Sequence, residues 1–256
     1  MRAQTLPALA GWQWLTGGFA LFRRNPPMLG MLVIAYWLIL ILLNIVPLLG
    51  VVLASMAMPG LSVGLMQAAR NLEQRKAIGV DTLIGGLKDN RRTLFALGAL
   101  YLCCTLGILG LSSLLDGGRL FDFMLAGKPG EPMTEETDAN LPLLLVVLLM
   151  TPLLMAYWFA PVLAAWHHIT LGKSLFFSFV ACWLNWRAFV VYGLGVLLVG
   201  GILPGLIIAA LLMVFPGLAS FATTLLLLPM LMIFVPTLFA SFYVSYRDIF
   251  GVSEIV

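Results

Sequence analysis

Charge is what this sequence has least of. Only 10% of its 256 residues are Asp, Glu, Lys or Arg, against about 25% in soluble domains. Hydrophobic residues make up 62%, and a soluble fold of this size cannot hide so much apolar surface, because more than half its exterior would still face water. Soluble enzymes and nucleic-acid binders are excluded on these grounds. Cysteine and histidine are also sparse. Cys103, Cys104 and Cys182 are too few for a disulfide framework and read as packing residues. His167 and His168 are the only histidines. As neighbours they face different directions, with no further ligands spaced nearby to complete a metal site, so no metal or cofactor is expected.

What is present is apolar sequence in long uninterrupted blocks. Residues 25–69, 93–115, 139–172 and 188–246 contain no Asp, Glu, Lys or Arg. A membrane span needs about 20 mainly apolar residues, so these blocks hold two, one, one and two helices. The expected architecture is all-α and polytopic, a single membrane domain over 1–256. Its six spans fall near 28–47, 49–70, 93–115, 141–166, 187–212 and 219–245.

Twelve of the fourteen basic residues fall on one side of that arrangement, leaving only Arg119 and Lys128 on the other. Basic residues concentrate in cytoplasmic loops, so both termini are expected in the cytoplasm. The opposite connection, 116–140, carries Asp116, Asp122, Glu131, Glu135, Glu136 and Asp138 and reads as an external acidic loop. The start lacks a clean apolar core and a small-residue cleavage site, so no cleaved signal peptide is expected.

Several segments outside the spans are amphipathic. Leu9, Trp12, Leu15, Phe19 and Phe22 give residues 1–25 one apolar helical face, read as an interfacial helix with Trp12 and Trp14 at headgroup depth. Asp81 to Asn90 forms a second such segment, with Asp81 as its N-cap. Thr170 to Arg187 forms a third, with Leu171, Leu175, Phe179, Cys182 and Trp186 on one face. In the last two, a descending span, an amphipathic segment and an Asn with Arg recur in order. Residues 59–115 and 152–212 therefore read as a parallel repeat.

The chain resembles a family at Trp12, at Phe22-Arg23-Arg24-Asn25-Pro26, at the descent from Gly64 to Arg70, and from Ala160-Pro161 through Ser174, Ser178 and Asn185. The pattern is similar to an uncharacterised group of six-helix bacterial inner-membrane proteins. It is distantly similar to the membrane domain attached to some glycerophosphodiester phosphodiesterases. The resemblance implies an inner-membrane location and this fold, and it brings no biochemical activity.

Within the spans the informative residues are structural. Gly60 and Gly64, Ala156, Ala160 and Ala164, and Gly201 and Gly205 are candidate packing seams, since small residues let helix backbones approach. Pro152, Pro161, Pro229 and Pro236 are candidate kinks. No charged residue sits at mid-membrane depth, where ion-coupled pumps place them. No convergent nucleophile, base and orienting group is evident, so no catalytic residue is assigned. Arg91, Arg92, Lys173 and Arg187 form a basic rim suited to anionic lipid headgroups. The expected function is a non-enzymatic scaffold or lipid-handling component of the bacterial envelope, with membrane lipids and an envelope protein as partners. The alternative is a permease or flippase for an uncharged or amphiphilic solute, drawing on the kinked spans.

Overall fold

The computed structural model describes residues 3–46, 49–118, 136–214 and 219–251, and every element among them is helical. Six helical stretches are long and apolar enough to cross a membrane: Pro26–Asn44, Leu49–Glu73, Arg91–Leu115, Leu141–His167, Trp186–Met213 and Met230–Phe250. Their starts and ends follow local chemistry. Helix α2 (Pro26–Asn44) begins where Asn25 Oδ1 accepts the Met28 N–H at 3.3 Å, with prolines in the first turn, where no backbone donor is needed. Helix α1 (Ala10–Phe22) precedes it. Helix α3 (Leu49–Glu73) runs unbroken through Pro59. Its last carbonyls, Leu72 and Glu73, each accept from the Arg24 guanidinium at 2.9 Å, the partners a helix C-terminus needs.

Helix α4 (Val80–Gly85) is capped by Gly79, whose N–H donates to Thr82 Oγ1. Asp81, expected as the cap, lies in the first turn instead. After α4 the chain turns at Asn90, in the left-handed region at φ 45°, and α5 (Arg91–Asp116) rises to Gly117, also left-handed at φ 66°. Most of the acidic connection 116–140 lies outside the described residues, with Arg119 and Lys128.

The fourth span is broken. Helix α6 (Glu136–Trp158) stops at Phe159, and α7 (Ala160–His167) continues in a new direction with Pro161 in its first turn. A regular helix would join the Phe159 N–H to the Met155 carbonyl. Here the hydroxyl of Ser178 sits between them, accepting from Phe159 N at 2.9 Å and donating to Met155 O at 2.8 Å. A side chain inserted into the ladder bends a helix, and Pro161 lacks the N–H that would have bonded the Tyr157 carbonyl two rungs on. Pro152 lies inside α6 without ending it.

Ser178 comes from α8 (Leu171–Leu184), which packs along α6. Its buried stripe is Ser174, Ser178, Ala181 and Cys182, while Phe176 and Trp183 point outward. The fifth span comprises α9 (Trp186–Leu197), a π turn over Leu198–Ile202 and α10 (Leu203–Val214). Helix α11 (Ala219–Phe250) contains Pro229 and Pro236 without a break; the side chain of Pro229 lies outside the described set.

Helix α1 packs on a face rotated from the expected one, which it shares only at Leu15 and Phe22. Leu9, Trp12 and Phe19 are exposed, whereas Gly11, Trp14, Leu15 and Gly18 are buried, Trp14 completely. Trp14 therefore packs inside the protein rather than facing lipid headgroups. The two glycines explain the choice. A Cβ on Gly11 would stand 2.0 Å from the Ala188 carbonyl oxygen of α9, and one on Gly18 2.6 Å from the Thr237 carbonyl oxygen of α11. Helix α1 is a wedge seated backbone to backbone against two spans, with Trp14 edge-on to Phe189 at 5.2 Å.

Candidate functional site

The structure gathers both described chain ends, Arg24, Glu73 and the 168–170 turn at one end of the bundle. Gln4 N donates to Ile249 O at 2.8 Å. Asn185, only 1% exposed, accepts from Leu6 N at 2.8 Å and donates to Gln4 O and Ala181 O, each at 2.9 Å. Asn90 plays the matching part for α5, donating to Ala164 O and accepting from Thr93, each at 2.9 Å. Each asparagine stands at the start of a span and ties a distant backbone segment to it.

This end also holds the polar side chains with which an enzyme would begin. Glu73 pairs with Arg247 and accepts from the Tyr243 hydroxyl, while Arg247 also engages Asp248. His167 Nε2 meets the Tyr246 hydroxyl at 2.6 Å. The Arg70 guanidinium lies over the Trp166 ring at 4.9 Å. His168, in the left-handed region at φ 51°, and Lys173 are exposed. Asp81 instead borders an open polar cleft of about 440 Å³ with Gln67, Asn71, Lys88 and Trp166. The histidines, Lys173 and the two carboxylates thus occupy separate places, and each of His167 and Glu73 is held by a tyrosine.

Arg91, Arg92, Lys173 and Arg187 are all exposed, and no ion pair among the described residues engages them. Asn90 ties the corner bearing Arg91 and Arg92 to α7 at Ala164 O and, at 3.5 Å, to Ile169 O in the turn that precedes Lys173. Arg187 stands at another corner, its guanidinium over Trp186 at 5.5 Å.

The small-residue rows have different fates. Gly60 and Gly64 receive the backbone of α4, since a Cβ on Gly64 would lie 2.2 Å from the Leu83 carbonyl oxygen and one on Gly86 2.3 Å from that of Gly60. Ala160 and Ala164 are fully buried against Val63, Leu94 and Leu97, and Ala156 is half-buried. Gly201 and Gly205 are exposed, and nothing lies within 4 Å of a Cβ on Gly205. In that span the contacts are made by Gly195, under the Trp12 ring, and Gly200, under the Phe234 ring. Sequence reading missed Gly11 and Gly18, although their seven-residue spacing places them on one helical face.

Among the described residues, the buried hydroxyls between the spans divide into two groups: those of Thr105 and Tyr157 have no hydrogen-bond partner, and the others are engaged. Thr237, Ser241 and Ser245, a row of candidate cavity hydroxyls, are buried and donate to the carbonyls of Ile233, Leu238 and Phe242. Ser241 also meets the Tyr192 hydroxyl at 2.6 Å. Two larger openings are lateral and apolar. One, of about 550 Å³, lies between α2 and α3 around Trp37, Leu40 and Met58. The other, of about 490 Å³, lies between α1, the π turn and α11 around Trp12, Phe19 and Phe234. Outside the spans, burial pushes the Cys182 thiol up to about 12, so it stays protonated as a packing residue.

A probable inner membrane protein of Burkholderia thailandensis is 36% identical to the chain over 262 residues, covering 99% of this chain and 96% of that protein. No protein-family model matches the sequence. No solved structure matches it.

Proposed function

The chain belongs to the family of that probable inner membrane protein, and on this premise we propose that it handles lipids in that membrane without catalysing a reaction. It is a multi-pass inner-membrane protein with six apolar helices. The observation that carries the proposal is where space is found: the two large apolar openings face sideways, toward bilayer lipid, while the hydroxyls of Thr237, Ser241 and Ser245 are spent on their own helix. A conduit for a polar solute needs polar groups lining a space that joins the two ends, and the two large openings are apolar and lateral. The likeness to phosphodiesterase membrane domains belongs to this reading as a pattern of residues, without their reaction.

The test is native mass spectrometry of the purified protein offered phosphatidylglycerol, cardiolipin or phosphatidylcholine, with solute uptake into proteoliposomes run alongside. Selective retention of anionic lipid with no uptake supports the reading. A bare protein that moves an uncharged or amphiphilic solute hands the case to a permease. The four rim residues give a finer result. If they hold headgroups, a variant with Arg91, Arg92, Lys173 and Arg187 all changed to Gln retains less anionic lipid, each contact being worth about 1 kcal/mol near an anionic surface. Equal retention would leave them as topology markers only.

The orientation we propose puts both termini and the 71–92 connection in the cytoplasm, because twelve basic residues lie on that side. A membrane-impermeant maleimide applied to intact cells should then label Met133→Cys and spare Lys76→Cys. Lys76 is exposed, so its silence would report sidedness rather than burial. The reverse pattern would overturn the orientation.

A further inference from the structure

The groove beside α1 has a shape and one charged neighbour that narrow what fits it. Its floor is the outward face of α1, with Trp12, Thr16 and Phe19. Its upper limit lies at the π turn, where a Cβ on Gly200 would stand 2.3 Å from the Phe234 ring. The two hydroxyls in its lining are spent. Thr16 Oγ1 donates to its own helix at Trp12 O and Gln13 O, 3.2 and 3.1 Å away, and Thr237 Oγ1 to Ile233 O at 2.7 Å. A polar solute would find no partner along the slot.

A cation stands at its edge. The Arg23 guanidinium lies over the Phe19 ring, 5.9 Å from its centroid, and Phe19 lines the groove. Arg24, the next residue, is engaged by the carbonyls at the end of α3. Arg23 is exposed, and no ion pair among the described residues engages it. An apolar slot that ends at an unpaired cation is complementary to an amphiphile with one tail and an anionic head. Moving an acyl chain from the bilayer into the slot gains no hydrophobic free energy, because lipid tails are as apolar as the lining. The headgroup contact must therefore supply the preference.

We propose that this groove seats one acyl chain of an anionic phospholipid from the leaflet nearest the chain termini, with its phosphate on Arg23. The site rests on the lipid-handling reading and locates it on α1 rather than on the rim of Arg91, Arg92, Lys173 and Arg187. The volume of about 490 Å³ is within the range of roughly 300–1,000 Å³ that ligand sites occupy.

The experiment uses the full chain in phosphatidylcholine vesicles doped with phosphatidylglycerol that carries a photoactivatable group on one acyl chain. A phosphatidylcholine probe of the same design runs in parallel. After irradiation, peptide mapping should find the phosphatidylglycerol adducts concentrated in residues 12–19 and 230–237, and the phosphatidylcholine probe should label them less. Arg23→Gln should lower that labelling about fivefold, the equivalent of one basic contact with an anionic headgroup. Thr16→Trp should abolish it by filling the slot while leaving Arg23 in place. Both residues are exposed, and a wild-type elution profile confirms that each variant is folded. Labelling spread evenly over the apolar faces, equal yields from the two probes, or wild-type yield from Arg23→Gln would each overturn the groove. None of these touches the wider reading, which is decided by retention of lipid through purification.

Discussion

Gly11→Val and Gly18→Val are each expected to lower the thermal midpoint of the purified protein by roughly 10 °C, the size that about 3 kcal/mol of overpacking produces in a chain this long. The atoms in the way are backbone: the Ala188 oxygen and Tyr192 nitrogen for Gly11, the Thr237 oxygen and Ser241 nitrogen for Gly18. Backbone cannot swing aside as a side chain can, so α1 must lift. Lifting withdraws Trp14 from Phe189 and Tyr192, which it meets at 5.2 and 6.0 Å. It also loosens the fifth span, whose most apolar window has no residue buried within the protein and whose first helix packs mainly on α1. Gly205→Val is the control, since its Cβ would meet open space, and its midpoint should move by no more than about 2 °C. Size-exclusion chromatography of heated, detergent-solubilised protein measures all three. Equal midpoints for the three variants would refute the wedge.

Asn185→Ala should release the N-terminal segment. The Asn185 side chain satisfies the Leu6 N–H and the Gln4 carbonyl in a site that is almost fully closed. Removing one partner of a buried hydrogen bond costs about 1–3 kcal/mol for each group left behind. Residues 3–9 are not helical except for a turn at 8–9, so they have no internal ladder to fall back on. With a cysteine at Leu6, which is half-buried, maleimide labelling in detergent should quicken on the order of tenfold or more. Asn185→Asp keeps the acceptor for Leu6 N and loses the donors, and it should fall between wild type and Asn185→Ala. An unchanged labelling rate in Asn185→Ala would mean that Gln4 and Ile249 hold the segment without it.

The spans were legible in the sequence because a block without charge, long enough to cross a bilayer, has few other destinations. The first span was expected from 28, and α2 begins two residues earlier, at Pro26 with Asn25 as its cap, for the same local reasons that apply in water. The buried faces were not legible, and α1 and α8 show why. Reading by large apolar residues selected Leu9, Trp12, Leu15, Phe19 and Phe22, of which only Leu15 and Phe22 are buried, while the packed face turns on Gly11 and Gly18. In α8 the packed stripe is Ser174, Ser178 and Ala181, and the large Phe176 and Trp183 look outward. Against lipid, burying a large apolar side chain gains little, and close approach of small residues decides the contact. The same limit applies to glycine pairs. Gly60 and Gly64 read like Gly201 and Gly205, yet only the first pair has a neighbouring backbone against it. Spacing shows that a backbone is able to approach, and which segment approaches is set by distant sequence. The groove likewise draws on residues 12–19, 199 and 230–237, which no local pattern joins.

The break at Phe159 bears on how the fourth span would meet a bilayer of another thickness. A continuous helix meets a thinner bilayer by tilting as a rod, and the tilt would be carried to whatever is fixed to its far end. Here the far end is α7, buried against α3 and α5 through Ala160 and Ala164 and tied to Asn90. The rung between Met155 and Phe159 is carried by a hydroxyl from α8, and α6 packs along α5 and α8. A change in the tilt of α6 would therefore be shared with α8, which holds both sides of the break through one serine. Thickness would thus reach the α7 end through Ser178 rather than along an unbroken helical ladder.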